Sequence, residues 1–161
     1  MLRLSWIAGT VIVLDQIAKW LAVTYLKTTS IVLLPFLELV LVYNRGAAFG
    51  FLDQAPGWQN GLFIAIAIIV SVVILGMIKK LEGADLQVRI ALWSVLGGAL
   101  GNLVDRIRVG AVIDFIQVSQ HFPVFNLADS AISLGATLLV MDAMGITIIG
   151  NKQVNSAHGK D

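Results

Sequence analysis

The sequence predicts an all-α membrane protein with four transmembrane helices and a small β-rich outer segment between the first two. Three observations carry this. Of 161 residues, 58% are hydrophobic and only 13% charged, at a mean hydropathy of +0.88; an average soluble domain is roughly a quarter charged. Four apolar stretches approach the ~20 residues a helix needs to cross hydrocarbon. The stretch after the first is rich in β-branched, aromatic and leucine residues but interrupted by Pro35, Gly46 and Gly50, which suits short strands rather than a helix. The length accommodates one bundle, so 1–161 reads as a single integral membrane domain. A net charge of +1 offers no clustered basic face for nucleic acid. With no cysteine, disulfides, thiol nucleophiles and thiolate metal sites are excluded.

The first helix is expected over 4–26. It follows Arg3 and has the look of a secretory signal, but it is too long, holds Asp15 and Lys19 and lacks a small-residue cleavage pattern, so it should stay attached. Residues 31–56 are expected to form short strands at the membrane surface. Helices over 61–78 and 88–104 flank "KKLEGADLQVR", a short, charged, solvated turn, and a fourth is expected over 127–149 before a polar, frayed tail at 150–161. Lys and Arg near the helix ends set orientation. Arg3, Lys79, Lys80, Arg89, Lys152 and Lys160 fall on one side; Lys27, Arg45, Arg106 and Arg108 fall on the other. This bias puts both termini in the cytoplasm and turns 27–60 and 105–126 outward.

A charged side chain at the centre of a spanning helix costs about 2.5 to 3.5 kcal/mol on insertion scales, so each one needs a reason. Asp15 and Lys19 are four apart, share a helix face and can pair; either a structural ion pair or a direct role at a site fits. Asn102, Asp105 and Arg106 close the third helix on one polar face, and Gly97 and Gly101 form a small-xxx-small pair that lets another backbone approach. An amide such as Asn102 in hydrocarbon needs a partner on a neighbouring helix or a ligand. Asp129 stands third after Asn126, so Asn126 can be the N-cap of the fourth helix with Asp129 stabilised by its free amides and dipole. Asp114, in a β-like run, has no such local explanation. The two histidines, His121 and His158, lie in a loop and the tail, which argues against a His-based metal site or a Ser-His pair. Carboxylate chemistry remains: two neighbouring acids do not both ionise easily, so one holds a proton while the other accepts one.

The blocks "LDQIAK" (Asp15, Lys19), "YNRGAAF" (Asn44, Gly46, Phe49), "GGALGNLVDR" (Gly98, Asn102, Asp105, Arg106), "VIDFI" (Val112, Asp114) and "FNLADS" (Asn126, Ala128, Asp129) resemble, in order and across Leu14 to Ser130, those of the bacterial lipoprotein signal peptidases, the type II signal peptidase family. The resemblance implies an intramembrane aspartyl endopeptidase that cuts a prolipoprotein just before a diacylglyceryl-modified cysteine, with Asp114 and Asp129 catalytic. It also implies that Asn44, Gly46, Asn102, Arg106 and Asn126 bind substrate, with Asp15, Lys19, Asp105 and Ala128 in support. No metal or cofactor is expected. The expected partners are the prolipoprotein and membrane lipid, with no nucleic acid, and the expected form is a monomer in the bacterial inner membrane with its site near the outer leaflet. Two other classes are compatible with intramembrane acids: a small proton-coupled transporter, although no internal repeat is visible, and a non-enzymatic scaffold in which the acids pair with Arg106 and Arg108.

Overall fold

The computed structural model describes residues 4–46, 57–81 and 85–150. The expectations for 47–56, including Gly50 and Phe49, and for the tail beyond Gly150 lie outside the described residues. Four helices and a three-stranded sheet run in the order α1 (Ser5–Tyr25), β1 (Ile31–Leu34), β2 (Leu37–Asn44), α2 (Trp58–Lys80), α3 (Leu86–Arg108), β3 (Val112–Gln117) and α4 (Leu127–Ala143).

Helices α1, α2 and α3 are long and apolar enough to cross a membrane. At about 1.5 Å per residue they span roughly 32 to 35 Å. Helix α3 is central: it packs against all three other helices and most of its apolar stretch is buried, whereas α1 and α2 turn most of their surface outward. The outward residues are apolar, as Ile66, Ile69, Val72 and Val73 of α2 illustrate. Only a hydrocarbon solvent makes such an exposed face favourable. Close contact between α1 and α3 depends on Gly97, where an added Cβ would lie 2.9 Å from the Ala8 Cα.

Helix α4 is a correction to the expected 127–149. It ends at Ala143, Gly145 takes φ 80°, and residues 146–149 run on without helix. Seventeen helical residues give about 26 Å, less than a full crossing. The reason is Gln87, fully buried in the first turn of α3. Its Nε2 donates to the carbonyls of Ile146 (2.9 Å) and Leu138 (3.2 Å), while its Oε1 accepts from the amides of Ile148 (2.7 Å) and Ile149 (3.2 Å). Non-helical backbone in an apolar setting needs protein to supply its hydrogen bonds, and this one side chain supplies three, to Ile146, Ile148 and Ile149.

The sheet is antiparallel in the order β1-β2-β3, with Pro35 and Phe36 in the β1–β2 turn. Its third strand comes from the connection between α3 and α4. Gly110, in the left-handed region at φ 78°, follows the C-cap Val109, and its amide bonds back to the Arg106 carbonyl at 3.2 Å. This turn redirects the chain from α3 into β3. In β2–β3 pairing Val42 lies opposite Asp114 and Asn44 opposite Val112, so Asn44 and Asp114 are diagonal neighbours on one face.

Candidate active site

Asp114 arrives on β3, buried to 2% exposure, and Asp129 arrives in the first turn of α4. They border one cavity of about 730 Å³, together with Asn44, Gly46, Asn102, Arg106 and the 122–125 loop. Asn126, fully buried, joins them. Its Nδ2 donates to Asp114 Oδ1 at 2.6 Å, while its Oδ1 accepts from the Asp129 amide at 2.9 Å and its own amide reaches Asp129 Oδ2 at 3.3 Å. The last two bonds form a capping box. The N-cap explanation of Asp129 is therefore correct, and it does not compete with a place in the cavity: one oxygen caps the helix while the other, Oδ1, accepts from Asn102 Nδ2 at 2.7 Å.

Asp114 receives a second amide donor, Asn44 Nδ2, on Oδ2 at 3.0 Å. Burial dominates its titration and pushes the carboxyl up to about 6; the charge of Asp129 adds to the rise, and the Asn44 and Asn126 donors and the Lys19 charge oppose it. Arg106 binds the Gly46 carbonyl through Nη2 at 2.8 Å and lies 4.4 Å above the Phe63 ring. Its Nη1 is buried with no protein partner among the described residues. Gly46 is further held by its amide, which donates to Asn44 Oδ1 at 3.1 Å.

Behind this layer lies a second polar cluster. Lys19, 1% exposed, pairs with Asp15 at 2.8 Å and Asp105 at 2.6 Å and donates to Asn102 Oδ1 at 2.9 Å. Asp15 accepts the Ala128 amide at 2.9 Å and Asp105 the Ile113 amide at 3.2 Å. Ala128 is wholly buried because α3 presses on it: an added Cβ at Gly98 would lie 2.4 Å from its carbonyl oxygen. A larger residue at either position has no room.

The fold thus brings the expected site residues into two adjoining layers: Asp114, Asp129, Asn44, Gly46, Asn102 and Arg106 line the cavity with the buried Asn126 bonded to both acids, and Asp15, Lys19, Asp105 and Ala128 lie behind them. Sequence reasoning missed Gln16, whose Nε2 donates to Asp105 at 2.9 Å and to the Gly101 carbonyl at 3.2 Å. An amide within an apolar helix was the available signal. It also missed the apolar wall of Phe122, Val124 and Phe125. The Phe122 and Phe125 rings meet edge to face at 6.0 Å, and Phe125 is tied to β3 by backbone bonds with Phe115 and Ile116.

The chain is similar to known proteins over most of its length. The family described as Signal peptidase (SPase) II matches residues 7–145. A lipoprotein signal peptidase of Acinetobacter baumannii is 46% identical over 146 residues, covering 87% of this chain and 83% of that protein. One from Shewanella baltica is 41% identical over 162 residues, covering 98% and 93%. Two solved structures described as a bacterial membrane enzyme superpose with TM-scores of 0.79 and 0.77. The first is 28% identical and covers 97% of this chain and 92% of its own; the second is 32% identical and covers 88% and 92%. A match over most of the sequence, with relatives above 40% identity, places this chain in the signal peptidase II family of bacterial membrane proteases.

Proposed function

We propose that the chain is an aspartyl endopeptidase that removes the signal peptide from a diacylglyceryl-modified prolipoprotein, cutting just before the lipidated cysteine with water activated by Asp114 and Asp129. The observation that carries this reading is Asn126: one buried residue hydrogen-bonded to both acids at the edge of a single cavity. The charge of Asp129 also raises the Asp114 carboxyl, so the two titrate as a pair.

The surroundings support a division of roles. Asp129 sits at a helix N-terminus, where the dipole favours negative charge. Asp114 lies on a strand, buried, and keeps its proton to about 6. Asp129 then accepts a proton as water oxygen attacks the scissile carbonyl carbon, while Asp114 hydrogen-bonds the developing oxyanion. When the carbon–nitrogen bond breaks, Asp114 supplies the proton to the leaving amine, and the dyad is left with one proton, now on Asp129. Returning it to Asp114 resets the site. Arg106 Nη1 is a donor available to a substrate carbonyl, and Asn44 and Asn102 orient the two acids. The wall of Phe122, Val124 and Phe125 offers an apolar surface to the signal helix or to acyl chains.

Such a substrate calls for a site at the lipid boundary. The cavity lies where α3 ends and α4 begins, with the basic pair Arg106 and Arg108 at that end and Lys79 and Lys80 at the opposite one. Exposed Tyr25 and Trp58 mark the same end as the cavity, as interfacial aromatics do. In this reading the cavity faces the outer leaflet and both termini the cytoplasm.

The test is to incubate the full chain in micelles with a diacylglyceryl-modified prolipoprotein and to read the product by mass spectrometry. Cleavage immediately before the modified cysteine is expected, with an unmodified precursor left intact. Cleavage elsewhere, or equal cleavage of both forms, contradicts the proposal.

A further inference from the structure

Lys19 lies outside the cavity yet touches both acids' supports. An ammonium can only donate, so the oxygen of Asn102 must face it, at 2.9 Å. Asn126 Nδ2 also reaches that oxygen, at 3.2 Å. The Asn102 amide nitrogen is left to face Asp129 Oδ1, at 2.7 Å. That oxygen must therefore accept, and Oδ2 already accepts from the Asn126 amide at 3.3 Å, so both oxygens face donors, which suits an ionised carboxylate and not a carboxyl with a proton on either oxygen. Resting on the dyad reading above, we propose that Lys19 is a positioning residue that keeps Asp129 in its proton-accepting form by fixing the orientation of the Asn102 amide.

The rest of the cluster restrains the geometry. The two counter-ions of Lys19 hold the backbone amides directly preceding the acids: Asp15 holds Ala128, before Asp129, and Asp105 holds Ile113, before Asp114. Charged and titratable side chains stand on every element of the fold except β1. Asp15 lies on α1, Asp105, Arg106 and Arg108 on α3, Asp114 on β3 and Asp129 on α4, while β2 carries Glu38 and Tyr43 and α2 carries Lys79 and Lys80 at its far end. Arg106 directs Nη2 to the Gly46 carbonyl and Arg108 reaches Gln16 Oε1 at 3.4 Å, which leaves Lys19 as the cation bonded to Asn102.

The experiment is the pH profile of kcat/KM for the full chain as wild type, Lys19→Met, Asn102→Leu and the double variant, with Asp129→Asn as control. Without Lys19 the Asn102 amide is free to turn its oxygen toward Asp129, which takes a donor away from the carboxylate and raises its titration point, so Lys19→Met is expected to move the acidic limb up by about one pH unit, a roughly tenfold loss of rate below the limb, with KM on the plateau within about twofold of wild type. In the Asn102→Leu background the same change should move the limb no further. A folded Lys19→Met protein with an unmoved limb overturns the proposal, and so does a shift that persists without Asn102. Should Lys19→Met fail to fold, Lys19→Met combined with Asp105→Asn removes one charge of each sign and is read against the same two outcomes. Normal cleavage by Asp129→Asn overturns the dyad itself, whatever Lys19 does, so the two failures are told apart.

Discussion

Among the described residues two pairs of acids stand in adjoining layers, all buried except the half-buried Asp129, and they are solvated in opposite ways. Asp15 and Asp105 have an ammonium between them, Lys19, at 2.8 and 2.6 Å. Among the described residues Asp114 and Asp129 are hydrogen-bonded only by amides: Asn44, Asn126 and Asn102 on their side chains, and the backbone of the capping box. A cation set between two carboxylates ties them to each other, which suits a joint between helices. Neutral donors satisfy a carboxylate partly, so a buried acid keeps the option of a proton, and Asp114 accordingly stays protonated to about 6. The difference teaches that a counter-charge makes an acid structural, whereas an amide leaves it chemically available.

The comparison predicts unlike consequences for like substitutions. Asp114→Asn and Asp129→Asn should each lower cleavage by roughly 10³-fold or more, within the range general acid–base groups contribute, while thermal unfolding in micelles stays close to wild type. Substantial turnover by either variant breaks the distinction. Asp15→Asn should do the reverse, lowering stability by about 3 kcal/mol because Lys19 loses one of its two carboxylates in a buried site. A thermal midpoint equal to wild type with no turnover would place Asp15 with the other pair. Asn44→Leu should have a smaller effect of defined sign. Asn44 donates to Asp114 and opposes the rise caused by burial, so losing it raises that titration point further. The basic limb of the rate profile should then move to higher pH, and a move to lower pH would show that Asn44 favours the protonated acid.

Much of this site is legible in the sequence because charge is conspicuous in an apolar chain. Asp15 and Lys19 are readable as a pair from their spacing alone, and Asn126 and Asp129 as a helix start from theirs. Asp114 stands out because nothing local accounts for it. The addition of Asp105 to the Asp15–Lys19 pair is not legible, because it depends on how α1 packs against α3. The early end of α4 is hidden for a similar reason: 144–149 is apolar enough to continue a helix, and what diverts it is Gln87, far away in sequence. The aromatic wall at 122–125 reads as an ordinary loop until backbone bonds to β3 fold it over the cavity.

The claim that the dyad shares one proton is testable by counting it. Infrared difference spectra of the full chain, titrated across pH 6, should contain a protonated-carboxyl band that fades as pH rises and is absent from Asp114→Asn but retained in Asp15→Asn. If that band is missing in the wild type at pH 5, or survives unchanged in Asp114→Asn, the shared-proton account fails.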